Sequence, residues 1–250
     1  PLLCIVPGFV VAIMSGIVRM KNLRTNVVNA TKKHTATLFF FHGSDMKEWV
    51  DILNRGELSF PHIKIVYPTA PAQPYTPNSG MRTASVVNCK QLLHISMHVE
   101  EELESVNSMC NVISELIENE VAAGIPHNRM IVGGFSMGGA LAMHVAYRYK
   151  PTLAGCFALS SFLNMNSSVY QENSAHNTPS LLQFHGSSDS MVPYQWGEET
   201  NTNLKSLGVD AQFTILHNTD HELNRKEVES LKAWILKNAF IPVLTISHSC

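Results

Sequence analysis

Arg129-Met130-Ile131-Val132-Gly133-Gly134-Phe135-Ser136-Met137-Gly138-Gly139-Ala140-Leu141-Ala142-Met143-His144 reads as a strand, a turn and a helix in immediate succession. The apolar run from Arg129 to Gly133 has strand character, and the residues from Met137 to Tyr149 form a helical run that Lys150-Pro151 ends. Between them stands Gly134-Phe135-Ser136-Met137-Gly138, a Gly-x-Ser-x-Gly motif in the strand–turn–helix context that holds a nucleophilic serine on a strained turn. Gly134 and Gly138 are the elbow glycines, expected because a Cβ there would collide with the facing backbone. The helix beginning at Met137 aims its positive dipole end at the serine.

Working outward, short β-rich runs alternate with helical ones. Strands are predicted at Thr37 to Phe41, Ile63 to Tyr67, Ala154 to Ser160, Ser180 to Phe184 and Ala211 to Leu216. Helices are predicted at Glu100 to Ala123, stopped by Gly124, at Tyr194 to Leu207, stopped by Gly208, and at Asn224 to Lys237. Strands separated by helix-length segments imply an α/β fold with a mostly parallel central sheet and helices on both faces. In such sheets reactive groups gather at the carboxyl ends of the strands.

The 250 residues suffice for one large domain. A net charge of −2 and a pI near 6.7 supply no basic field for a phosphate backbone, which argues against a nucleic-acid partner. The five cysteines are scattered and lack Cys-x-x-Cys spacing, so neither a disulfide framework nor a zinc site is expected, and a reducing compartment is. Cys110 and Cys156 read as small buried hydrophobes. His94 and His98 have the spacing of a metal pair but no third ligand follows, so no metal is expected.

Residues 1–22 are apolar and atypical, and are expected to lie outside the fold. The uncharged run from Leu2 to Val18 is shorter than the ~20 residues of a spanning helix and is interrupted by Pro7-Gly8. Stable membrane insertion is therefore not expected. Residues 23–240 are expected to form the single domain and 241–250 an atypical tail.

A serine hydroxyl needs a base to take its proton and an acid to orient that base. In this type of fold the order along the chain is serine, acid, histidine. Of the five aspartates, Asp45 and Asp51 precede Ser136, Asp210 begins a strand, and Asp220 adjoins a histidine it could scarcely orient. Asp189 remains, beyond the strand end at Phe184-His185-Gly186. For the base, His221 and His217 both follow the last strand, and His185 fails the order. The oxyanion of acyl transfer needs two donors: the N–H of Met137, and that of Ser44 after the strand Phe39-Phe40-Phe41.

These residues resemble the acyl-protein thioesterases and their lysophospholipase-like relatives, a family of α/β-hydrolases. The resemblance is carried by Phe-His-Gly-Ser (41–44), Tyr-Pro-Thr-Ala-Pro (67–71), Gly-Gly-Phe-Ser-Met-Gly-Gly (133–139), Phe-Ala-Leu-Ser-Ser-Phe-Leu (157–163), His-Gly-Ser-Ser-Asp (185–189) and His-Glu-Leu (221–223). Met137 and the Ala-Leu-Ser-Ser-Phe-Leu run look most like the lysophospholipase-like branch. The resemblance implies a triad of Ser136, Asp189 and His221, selecting His221 over His217. It also implies cofactor-free hydrolysis, in the cytoplasm, of acylated proteins such as palmitoylated ones or of small acyl esters.

Two departures stand out. Family members carry a longer glycine-rich loop after His-Gly-Ser, whereas Ser44-Asp45 here runs straight into Met46-Lys47-Glu48-Trp49. A Trp-aromatic-Asp stretch of the family is replaced by Val86-Val87-Asn88-Cys89-Lys90. Losing one oxyanion donor costs roughly 10²–10³ in kcat. The alternative expectation is accordingly an impaired acyl-binding protein with a defective oxyanion loop.

Overall fold

The computed structural model describes residues 23–41, 46–69, 72–74, 82–84, 96–172 and 178–239. Nine strands are present among them: β1 (Arg24–Val28), β2 (Ala36–Phe41), β3 (Ile63–Thr69), β4 (Ala72–Pro74), β5 (Arg82–Ala84), β6 (Met130–Phe135), β7 (Gly155–Leu159), β8 (Ser180–Gly186) and β9 (Ala211–Leu216). Seven of these form one sheet in the order β1-β3-β2-β6-β7-β8-β9, and β4 pairs with β5. All pairings in the large sheet are parallel except β1 with β3. The helices are α1 (Met46–Asn54), α2 (Leu103–Ala122), α3 (Met137–His144), α4 (Ser168–Glu172), α5 (Tyr194–Ser206) and α6 (Arg225–Ala239).

Strand β2 shows why both faces must be covered. All six of its residues are buried. Phe39 and Phe41 pack into one core with Ile113 and Ile117 of α2, Leu141 of α3 and Leu204 of α5. Leu38 and Phe40, pointing the other way as successive strand residues do, share the second core with Met46 and Val50 of α1 and Leu231, Trp234 and Ile235 of α6. A strand apolar on both sides is the pattern of a parallel sheet sandwiched between helix layers. Cys110 and Cys156 are free and buried in the first core, and burial pushes the Cys110 thiol up to about 12. Both are inert packing residues, as expected from the sequence.

The boundaries differ from the sequence reading in instructive ways. β3 runs through Pro68, where the sequence suggests a stop. Its pairing with β2 ends at Phe39↔Val66, so Pro68 faces only the edge strand β1, where a missing N–H is tolerated. The helix expected from Met137 to Tyr149 is α-helical to His144 and then widens into a π turn, Val145–Tyr149. Lys150 N–H donates to Val145 O at 2.8 Å, closing the wider ring. Residues 1–22, 240–250 and 86–90 lie outside the described residues.

Gly133 on β6 faces the Phe157 ring of β7 at Gly133↔Phe157, where an added Cβ would stand 2.1–2.3 Å from three ring atoms. Phe157 is fully buried and packs edge-on against Phe40, with ring centroids 5.1 Å apart, so the ring has no free space to enter. Gly133→Ala is expected to lower the unfolding free energy by about 1–3 kcal/mol. Urea unfolding measures this, and an unchanged midpoint would show that the ring can step aside.

Candidate active site

Ser136 occupies the one-residue turn between β6 and α3. Its backbone has φ 54° and ψ −125°, a conformation that a residue with a side chain adopts only when its surroundings enforce it. Three sets of contacts do so. Ser136 N–H donates to Leu159 O at the end of β7 (2.8 Å), and Ser136 O accepts from Gly139 N–H (3.0 Å) and Ala140 N–H (3.3 Å) in the first turn of α3. The turn is also as tight as backbone permits: a Cβ on Gly134 would lie 2.5 Å from Phe41 O and 2.5 Å from the Gly138 carbonyl carbon. Gly138 is buried in the first turn of α3, with its carbonyl against Gly134. Met137 is the first residue of α3, so its N–H is among the donors that the helix itself leaves unserved. Ser44, expected as the second donor, lies outside the described residues.

Asp189 follows β8 on the same rim of the sheet. Its carboxylate is fully shielded from solvent. Oδ1 accepts from the N–H groups of Met191 (3.0 Å) and Val192 (2.7 Å), and Oδ2 lies 2.8 Å from His221 Nδ1. Burial alone would raise this carboxyl's pKa. The hydrogen bonds from His185, His221 and Val192 outweigh it and hold Asp189 well below the usual aspartate range. Asp189 is therefore an ionised acceptor, which assigns a proton to His221 Nδ1 and turns Nε2 away from the carboxylate.

His221 is positioned from three sides. Its ring stacks at a tilt on Phe135, the residue before Ser136, with centroids 4.8 Å apart. Its backbone N–H donates to Asp220 Oδ1 (2.8 Å), which also accepts from Ser190 N–H (2.7 Å) and Ser190 Oγ–H (2.8 Å). Asp220 thus ties the His221 loop to the one that carries Asp189, and these same bonds hold its own pKa down. On the far side, Asn224 caps α6 reciprocally with Glu227: Asn224 Oδ1 accepts from Glu227 N–H (3.0 Å) and Glu227 Oε2 from Asn224 N–H (3.2 Å). Asn224 Nδ2 also donates to Thr219 Oγ1 at 3.2 Å.

The residues singled out in the sequence therefore separate clearly. Asp189 and His221 touch, and the His221 ring packs on Phe135, the residue before Ser136. His217 is exposed. His98 is exposed and His94 lies outside the described residues. Among the described residues no group of three or more His, Cys, Asp or Glu is arranged to hold a metal ion. Also among them, no helix is long and apolar enough to cross a membrane. Two residues set aside in the sequence take part after all: Asp220, through its loop contacts, and His185, whose Nε2 lies 3.3 Å from Asp189 Oδ2. Chain order could not reveal either, because both act on Asp189 or His221 rather than on the serine.

Comparison with known proteins places these features in a family. The phospholipase/carboxylesterase family profile matches residues 22–239. Mouse lysophospholipase-like protein 1 is 49% identical over 218 residues, covering 84% of this chain and 90% of the relative. Acyl-protein thioesterase 1 homolog 1 of Dictyostelium discoideum is 32% identical over 214 residues, covering 82% and 91%. Among solved structures, Zea mays acyl-protein thioesterase 2 superposes with a TM-score of 0.75 at 26% identity, covering 87% of this chain and all of that one.

The Asp189 shift carries a pH signature. A carboxyl with a lower pKa folded than unfolded contributes its full stability above the unfolded value, about 3.9, and loses it as pH falls through the folded value. Urea unfolding between pH 7 and pH 3 should therefore show a stability gap between wild type and Asp189→Asn that narrows below about pH 4. A gap independent of pH would contradict the assignment of Asp189 as a stabilised anion.

Proposed function

Because the chain belongs to the phospholipase/carboxylesterase family of α/β-hydrolases, we propose that it is a serine hydrolase of acyl thioesters or carboxylic esters, working through an acyl-enzyme on Ser136. One observation carries this reading. A serine in a strained turn at a helix N-terminus shares the carboxyl rim of the sheet with a His221–Asp189 pair whose nitrogen and oxygen are 2.8 Å apart.

In the proposed reaction His221 Nε2 takes the Ser136 proton as Oγ attacks the acyl carbonyl. Asp189, ionised and dry, stabilises the resulting imidazolium and keeps its Nδ1–H aimed inward. The developing oxyanion is held by the Met137 N–H, reinforced by the dipole of α3, and by the Ser44 N–H. His221 then hands the proton to the leaving thiol or alcohol; water, giving a proton to His221, attacks the acyl-serine, and the acyl–Oγ bond breaks as His221 returns that proton to Ser136 Oγ and the carboxylic acid leaves. No cofactor or metal is needed. The substrates proposed are acylated proteins, palmitoyl-cysteine included, and small acyl esters, the thioester class being suggested by the names of the relatives. The proposed setting is the cytoplasm, and residues 23–240 are the proposed hydrolase unit.

Turnover of short- and long-chain acyl thioesters and p-nitrophenyl esters tests the proposal. Wild type is expected to hydrolyse at least one class, and Ser136→Ala or His221→Ala should lower kcat by roughly 10⁴-fold or more. Folded wild-type protein that binds acyl chains without turning them over would instead identify an impaired acyl-binding protein.

A further inference from the structure

His185 is the one fully buried histidine in contact with the proposed acid, and the mechanism above leaves it unused. It sits near the end of β8, its side chain entirely shielded from solvent. Its Nε2 lies 2.9 Å from Val192 O and 3.3 Å from Asp189 Oδ2. Both neighbours are acceptors, so Nε2 carries a proton shared between them. The other ring nitrogen, Nδ1, is buried with no hydrogen-bond partner among the described residues. It faces Gly197 of α5, where an added Cβ would stand only 2.5 Å from it. A second proton on Nδ1 would create a buried cation with an unserved N–H, so the ring is the neutral Nε2–H form.

We propose that His185 is a positioning residue for Asp189, an inference that rests on the Ser136–His221–Asp189 reading. The bonds form a closed circuit. Val192 N–H donates to Asp189 Oδ1 at 2.7 Å, and His185 Nε2–H donates to Val192 O at 2.9 Å while standing 3.3 Å from Asp189 Oδ2. With Oδ1 tied to one end of residue 192 and Oδ2 to the other through the imidazole, the carboxylate cannot rotate about its χ2 axis. Its remaining Oδ2 lone pair is thereby held on His221 Nδ1–H. Neutrality is essential to this role. An imidazolium at His185 would compete with His221 for the carboxylate's charge, whereas a neutral donor fixes the geometry and leaves the charge to His221. Gly197 belongs to the same device, since only a residue without a side chain admits the ring.

The test compares His185→Leu, His185→Gln and Gly197→Ala by kcat and KM and by the low-field proton NMR signal of His221 Nδ1–H. Removing the donor in His185→Leu is expected to lower kcat roughly 10–100-fold, the usual loss for a second layer of support, with KM within about twofold of wild type. The Nδ1–H signal should shift or broaden, which a purely packing role would not cause. His185→Gln, whose amide can donate from nearly the same place, is expected to recover most of kcat. Gly197→Ala, which displaces the ring while keeping it, should lose kcat in the same sense. If His185→Leu does not fold, the other two decide: a folded Gly197→Ala with wild-type kcat and signal overturns the proposal. So does a folded His185→Leu with both unchanged while Ser136→Ala is inactive. Residual full turnover in Ser136→Ala would overturn the triad reading instead.

Discussion

The turn at Ser136 leaves no room for any other chain path. The backbone of β6 must reverse into α3 within one residue, passing so close to Phe41 O and the Gly138 carbonyl that no side chain fits on Gly134. Ser136 pays for this with a positive φ, held there by its bond to Leu159 O across the sheet and by the first turn of α3 below it. The consequence is directional. A serine in the body of a strand or helix would bury or wave its hydroxyl, but one on this reversal projects it over the carboxyl edge of the sheet at the positive end of a helix. The central strands, with their bare glycines at 133 and 134 and the phenyl ring of Phe157 filling the space beside them, are packed to permit that reversal.

Asp189 and His221, the proposed acid and base, are held in place by a different device. β8 and β9 are parallel neighbours, registered from Leu181↔Ala211 to Gly186↔Leu216, so the loops leaving them emerge side by side. Those loops then lock together. Ser187 N–H reaches Leu216 O (2.9 Å), Ser188 N–H reaches Thr219 O (3.0 Å), and Asp220 clasps Ser190. Gly186 permits the closest approach, since a Cβ there would meet Thr219 O at 2.2 Å. Asp189 and His221, 32 residues apart in the chain, thus form a unit set by backbone contacts before their side chains meet. Within that unit burial would favour a neutral carboxyl, and the number of donors converging on Asp189 overrides it.

Much of this was legible in the residues alone, for a physical reason. The strands β2 and β6 to β8 are runs buried on both sides, and such runs announce themselves by composition, whereas β9, at the sheet edge, is legible by the alternation of exposed Gln212 and Thr214 with Ala211, Phe213 and Ile215. β1 does neither, because Arg24-Thr25-Asn26 is exposed at the sheet edge and needs only backbone pairing to β3. α1 is not among the predicted helices although Met46, Trp49, Val50 and Leu53 recur at helical spacing, because nine residues give the period too short a window to stand out. Motif and chain order single out Ser136 and Asp189 and the resemblance singles out His221, and the structure brings Asp189 and His221 into contact. His185 and Asp220 could not be singled out in this way, since chain order excludes a histidine before the acid and an aspartate beside the base. Their roles exist only in contacts across β8 and β9. The widening of α3 into a π turn at Val145–Tyr149 likewise has no signature in the spacing of its residues.

The central claim is that Ser136 becomes covalently acylated. Rapid quenching of wild-type protein with a slowly hydrolysed acyl ester, followed by intact mass measurement and peptide mapping, tests this most directly. The account predicts one acyl group per chain on the peptide containing Ser136, accumulating before free acid reaches its steady rate. An acyl group on another residue, or steady turnover with no covalent intermediate at any acyl chain length, would contradict it.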